Sequence, residues 1–465
     1  MLQTESGMDR RDFMRLAGGG ALGLGLAGGL PAPALAEPSA AIPKAKAKTV
    51  IQLYLEGGMT HIDTLDPKPN APPTIRSFFK PIPTNVPGIE ISELLPLLAK
   101  QADKYTLLRS ITAPGGGHGG YVMLCNAMIP NECSSPHPSA KLTYPTVGAV
   151  VGMKKLDSGS YQGDIPPWVC IPGIPWGGNN YGFLPPKYQG FCVGDPSDPY
   201  FKAPGVSLSP EEEKHLAKRR DLLAALDAPG KAKPPAARSA DALRDAAFRL
   251  LTGDAKKAFD LSQEKDALRE RYGRNRFGQG CLLARRLAEH GVPFITVPWG
   301  GGEVKGADGW DMHERVNVNL RLLCPILDKG VSALIEDLAQ TGLLEHTIVV
   351  FHSESSKAPD WNVKLESLGG KHPGEVGGRE HYNNVLSALV AGGGFKAGQV
   401  VGESDAEGRY VKSRPIYPWD LWESVYQLIG IDPNDKLPNP DGCVAYVSPA
   451  TACSYARAGI LKEIM

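Results

Sequence analysis

The chain has 465 residues, enough for one large α/β domain or two modest ones. Lysine plus arginine equals aspartate plus glutamate at 50 each, so no global field draws nucleic acid or an anionic membrane, and a charged ligand has to be held locally. Eight cysteines show no CxxC and no paired metal-ligand spacing, which excludes a zinc ribbon.

At the N-terminus, Arg10 and Arg11 with Phe13 and Arg15 precede the weakly apolar, glycine-rich run from Leu16 to Leu30. That run is too short to span a bilayer comfortably, and Ala34-Leu35-Ala36 supplies a small-x-small peptidase site. The pattern resembles a twin-arginine signal, an address read by a receptor. It implies a signal peptide over residues 1–36, a Pro/Lys/Ala tether over 37–48 and a body over 49–465, working in the periplasm or outside the cell. The competing reading of the leader is an uncleaved anchor. No later segment is long and apolar enough for a membrane span. In such a compartment disulfides are expected, with Cys125/Cys133, Cys170/Cys192 and Cys443/Cys453 in loop-rich stretches and the connectivity open, whereas Cys281 and Cys324 on apolar helical faces read as buried thiols.

In chain order, Thr49 to Leu55 reads as a buried strand emptying into a glycine turn. Tyr105 to Arg109, Trp168 to Ile171, Pro293 to Val297, Thr347 to Phe351 and Leu386 to Ala391 share its pattern. The clearest helix runs from about Arg315 to Gln340, with Gly342 just beyond its end and Pro325 as a potential kink. Strands alternating with helices predict an α/β fold with a mostly parallel sheet covered on both faces. From about 152 to 290 the texture shifts to a Pro/Gly-rich stretch with Trp168, Trp176 and Tyr181, then to charged helices from Pro210, which reads as an insertion. Its Gly230 to Arg238 segment reads as a flexible loop.

Polar clusters follow the predicted strands, at the edge where open α/β sheets bind ligands. His61, Asp63 and Asp66 follow the first strand. Arg109, Ser110 and Thr112, then His118 among glycines, follow the second. Asp311 and His313 follow the strand ending at Val297, and His352, Glu354 and Lys357 follow the one ending at Phe351. His381 instead precedes a strand. Carboxylates and imidazoles gathered in this way suit one or two divalent cations, whether zinc, manganese, magnesium or calcium. Four of the five clusters also have a plainer structural reading. His61 and Asp63 could cap a turn, Asp311 and His313 could cap the long helix, His118 could be loop, and His381 could be a satisfied core histidine.

Gly57 to Pro69 (GGMTHIDTLDPKP), Leu107 to Thr112 (LLRSIT), Gly309 to Glu314 (GWDMHE), Gly378 to Gly394 (GREHYNNVLSALVAGGG) and Tyr417 to Asp432 (YPWDLWESVYQLIGID) occur in one order. Together they resemble the domain-of-unknown-function family 1501, exported proteins placed in the alkaline phosphatase and sulfatase superfamily. The resemblance implies an alkaline-phosphatase-like sheet with a metal site at its carboxyl edge. Asp63 or Asp66 would be the acidic ligand after the first strand, Asp311 with His313 a ligand pair, Glu354 a later acidic ligand and His381 the final histidine. His61, His118 and His352 are further candidates, with Arg109, Lys68 or Lys357 neutralising an ester's charge. Ser110 and Thr112 are the candidate nucleophiles, although Thr112 to Gly116 lacks both ends of a formylglycine signature. Where the family usually reads Gly-Glu-Phe-Gly-Arg-Thr-Pro, this chain has Ser353 to Pro359 (SESSKAP), keeping the acid and the proline but losing the arginine.

The implied activity is hydrolysis of phosphate or sulfate esters, with a small anionic ester or a sulfated or phosphorylated glycan as substrate. The alternative is a non-catalytic binding or assembly protein that keeps the fold and grips an exported protein partner or a polysaccharide.

Overall fold

Val50, Gln52 and Tyr54 point to one side of the first strand and Ile51, Leu53 and Leu55 to the other, and all seven residues of Thr49–Leu55 are buried. A strand with no solvated face has to sit inside a sheet covered on both sides. In the computed structural model this is so. The structure describes residues 44–113, 117–118, 144–175, 181–203, 210–226, 247–251, 253–440, 442, 444–452 and 456–465. The leader, the cysteines at 125, 133, 443 and 453, Trp176 and the Gly230 to Arg238 segment lie outside them.

The main sheet has eight strands: β1 (Thr49–Leu55), β2 (Tyr105–Ile111), β3 (Trp168–Cys170), β4 (Phe191–Cys192), β5 (Phe294–Trp299), β6 (Thr347–Ser353), β7 (Leu386–Ala391) and β8 (Gln399–Val401). Their spatial order is β8-β2-β7-β6-β1-β5-β3-β4. β1 pairs in parallel with β5 and β6, and β3 in parallel with β4 and β5. β7 runs antiparallel to both β6 and β2, and β8 lies parallel to β2. Seven strands thus share one direction and β7 alone is reversed.

Helices α1 (Val147–Asp157), α2 (Arg276–Glu289), α3 (Val316–Gln340) and α4 (Pro418–Leu428) cover the sheet. Leu282 and Leu283 of α2 and Leu320, Leu327 and Leu334 of α3 pack with Ile51, Leu53 and Phe351 on one face. Val147 and Val151 of α1 and Leu421, Trp422 and Val425 of α4 pack with Val50, Ile348 and Val350 on the other. α3 runs unbroken through Pro325, which lies on its exposed side, where water can satisfy the carbonyl that proline leaves without a donor. No helix among the described residues is long and apolar enough to cross a membrane.

The stretch from 152 to 290 supplies β3 and β4, the outermost strands on one side of the sheet, and α2, part of its cover. One expectation changes: there is no disulfide among the described residues. Cys170 and Cys192 face each other in register on β3 and β4 as free thiols. Cys281 and Cys324 are the buried thiols their helical positions implied.

Candidate metal centre

Parallel strands end at one edge, so the loops after β1, β2, β5 and β6 converge there. The reversed β7 begins at that edge, which carries the segment before it, with His381, to the same place.

The loop after β5 brings Asp311 and His313. Trp310 is buried edge-on against Trp299 at 5.5 Å. Asp308 binds Arg315 at 2.7 Å and accepts from Asn319 at 3.0 Å, which stiffens the turn into α3. That helix begins at Arg315 in a left-handed conformation without a side-chain cap, so Asp311 is not the helix cap that its position allowed.

Asp311 Oδ1 lies 3.0 Å from His313 Nε2 and 3.3 Å from His381 Nε2, and the two imidazole nitrogens are 3.2 Å apart. A second grouping of His118, Asp311 and His381 has one ligand atom from each within 4.8 Å. His118 bridges two carboxylates, with Nε2 3.4 Å from Asp311 Oδ2 and Nδ1 3.2 Å from Glu354 Oε1. Glu354 is buried. Its Oε1 accepts from Gly57 N, while its Oε2 has no hydrogen-bond partner.

The Lys357 ammonium binds Asp311 Oδ1 and stands 3.5 Å from both His313 Nε2 and His381 Nδ1, with no exposed side-chain surface. Glu380 Oε2 holds His313 Nδ1 at 3.0 Å and is fixed in turn by Asn362. Ser355, also buried, places its hydroxyl 3.5 Å from His381 Nδ1.

Two glycines allow this crowding. A Cβ on Gly57 would lie 2.4 Å from Asp311 N, and one on Gly378 would lie 1.9 Å from the His313 carbonyl carbon. A two-residue ladder then sets His381 opposite Lys357.

The hydrogen bond that His118 donates to Glu354 pushes the His118 pKa up against the effect of burial. Burial, with the charge of Lys357 beside it, pushes His381 down to about 4, so its ring is neutral and keeps a lone pair for a cation. Burial would raise the Asp311 carboxyl, but Lys357 outweighs it and holds the group below the usual carboxylate range.

The other candidates are elsewhere. Asp63 is locked to buried Arg379 and accepts from Thr60. Asp66 accepts from Lys68 at 3.0 Å and from Ser404. His61 uses both ring nitrogens, on Ser356 at 2.6 Å and on the Gly408 carbonyl at 2.8 Å. His352 binds Gln52 inside the sheet layer, edge-on to Trp422. Arg109 donates to the Leu65 and Glu90 carbonyls, and Ser110 donates to the Arg414 carbonyl from a buried position. Thr112 follows β2, its backbone N–H donating to Ile416. Asp311, His313, Glu354 and His381 are therefore brought together, joined by His118 and Lys357, while Asp63, Asp66, His61, His352, Arg109 and Ser110 are engaged in other contacts. Reading the sequence missed Glu380 and Ser355. Glu380 had a signal in its place next to His381, but Ser355 stood among three serines with nothing to single it out.

The family model described as "Protein of unknown function (DUF1501)" matches residues 47–445. No curated protein sequence matches the chain. Among solved structures, the chain is similar to the PsFucS1 sulfatase from Pseudoalteromonas sp., at 12% identity and a TM-score of 0.35, over 84% of this chain and 68% of that one. It is similar to the lipoteichoic acid synthase LtaP from Listeria monocytogenes, at 10% identity and a TM-score of 0.35, over 84% of this chain and 74% of that one. It is also similar to a protein in the alkaline phosphatase superfamily from Vibrio parahaemolyticus, at 10% identity and a TM-score of 0.35, over 84% and 68% respectively. Likenesses this distant say nothing about chemistry, which rests on the side chains.

Proposed function

The chain belongs to the DUF1501 family, and from that premise we propose that it is an exported, metal-dependent hydrolase of phosphate or sulfate esters working at the carboxyl edge of its sheet. One observation carries this reading: the triangle of Asp311 Oδ1, His313 Nε2 and His381 Nε2, with edges of 3.0, 3.3 and 3.2 Å.

A zinc-type ion with bonds of about 2.0–2.1 Å sets tetrahedral ligands about 3.3 Å apart, so the donors already have the spacing such an ion requires. One carboxylate and two imidazoles are also the donor chemistry of catalytic zinc, leaving a position open. The unpartnered Oε2 of buried Glu354 is a further acceptor at the same edge, and an acceptor of that kind is costly to bury without a cation or donor. A bound divalent ion would polarise a phosphoryl or sulfuryl oxygen and make an attacking water acidic.

The protein's own groups then divide the work. Asp311, His313 and His381 hold the ion, and Glu380 orients the His313 ring through its second nitrogen. His118, placed between Glu354 and Asp311 with its pKa raised, donates a proton to the leaving oxygen. Lys357 offers positive charge to the anionic ester. Ser110 is engaged with Arg414, so attack is assigned to water. A small anionic ester, or such a group on a glycan, fits this chemistry.

The test is to purify the exported form, measure its metals by elemental analysis, and assay aryl phosphate and aryl sulfate hydrolysis beside Asp311→Ala and His381→Ala. Bound metal and turnover in the wild type, both lost in the variants, are expected. Metal-free wild type under replete conditions, with variants indistinguishable from it, would remove the reading. The N-terminal residue of the same sample tests cleavage after Ala36.

A further inference from the structure

The loop after β1, from which a second ion would draw carboxylates, has them committed elsewhere. Arg379 reaches both oxygens of Asp63, at 2.9 and 3.4 Å, and Asp66 is held by Lys68 and Ser404. Glu56, the first residue past β1, turns toward Gly300, where a Cβ would lie 3.4 Å from its Oε2. What stands beside the ligand triangle instead is an ammonium. Lys357 Nζ shares Asp311 Oδ1 with the triangle and lies 3.5 Å from His313 Nε2.

A lysine with no exposed side-chain surface carries a desolvation penalty unless carboxylates answer it, and an apolar residue would fill the same volume without one. The group that answers it here is the one carboxylate oxygen that the triangle also needs.

We infer that the centre takes a single divalent ion and that Lys357 is its second, built-in cation, holding Asp311 in register and supplying the positive charge that a neighbouring ion would otherwise supply. The inference rests on the metal reading above and adds a stoichiometry and a role for one residue.

The test uses zinc and inorganic phosphate as probes on the same purified protein. Chelator-treated protein is titrated with zinc by calorimetry, and metal per chain is counted after dialysis, for wild type, Lys357→Glu and Lys357→Met. Wild type binds one equivalent. Lys357→Glu, which replaces the ammonium with a carboxylate, binds two. Lys357→Met keeps one equivalent but, once loaded, binds phosphate about tenfold more weakly, because the buried ammonium no longer adds its charge to that of the ion. Two equivalents in wild type overturn the inference and leave the metal reading intact, whereas no zinc in wild type overturns the metal reading and the inference with it. Wild-type phosphate affinity in a zinc-loaded Lys357→Met chain also overturns the inference. Thermal scans check folding, and if Lys357→Glu does not fold, the wild-type count and the Lys357→Met arm decide.

Discussion

Arg379 Nε stands 2.9 Å from Asp63 Oδ2, and neither side chain has any exposed surface. The guanidinium also lies 3.6 Å over the Trp361 ring and donates to the Ile75 carbonyl. This buried pair joins the loop after β1 to the segment that delivers His381, so it positions the centre without touching it.

Removing one partner strands the other charge out of water. Arg379→Met should therefore cost about 3–5 kcal/mol in urea unfolding, and Asp63→Asn in the same chain should recover much of the loss. A cost below about 1 kcal/mol for Arg379→Met would show that the pair does not hold these segments together.

Gly57 has φ +126 and faces the Asp311 backbone. Gly57→Ala should cost about 1–3 kcal/mol through backbone strain. It should also reduce bound metal, because Asp311 has to move back from the intruding methyl group. Elemental analysis of a folded Gly57→Ala chain with its full complement of metal would contradict this.

Glu380 touches the His313 nitrogen that faces away from the triangle. Glu380→Gln should weaken zinc binding by about 10–100-fold with little change in melting temperature. Calorimetric titration separates this from a ligand change, since Asp311→Asn should abolish binding.

Burial, offset only in part by Asp66, pushes His61 down to about 4 from its ordinary 6.5. Its unfolded form takes up a proton at higher pH than its folded form, so stability is complete above about pH 6.5 and falls as the pH drops toward 4. The loss from this group reaches about 2–3 kcal/mol at the acid end. Melting temperatures from pH 7.5 to 4.5 should show the decline, and His61→Asn should flatten it. Parallel curves for the two chains would assign the acid sensitivity to other groups.

Much of the architecture was legible because a strand buried on both faces leaves an unbroken apolar run, and a covering helix leaves its 3.6-residue stripe. Thr49–Leu55 and Leu386–Ala391 read to the residue, and Val316–Gln340 within one. Trp168–Cys170 was also legible as a strand, but its order among the others was not, because pairing is a relation between distant segments.

Composition and local order were sufficient to show an α/β chain with acidic and imidazole groups at strand ends. Tertiary structure decided which of them meet. Asp63 and Asp311 look equivalent along the chain, yet Arg379, 316 residues away from Asp63, claims the first and leaves the second to His313 and His381. His381 precedes its strand and still reaches the centre only because β7 runs against its neighbours, and the direction of a strand is set by the partners it pairs with rather than by its own residues.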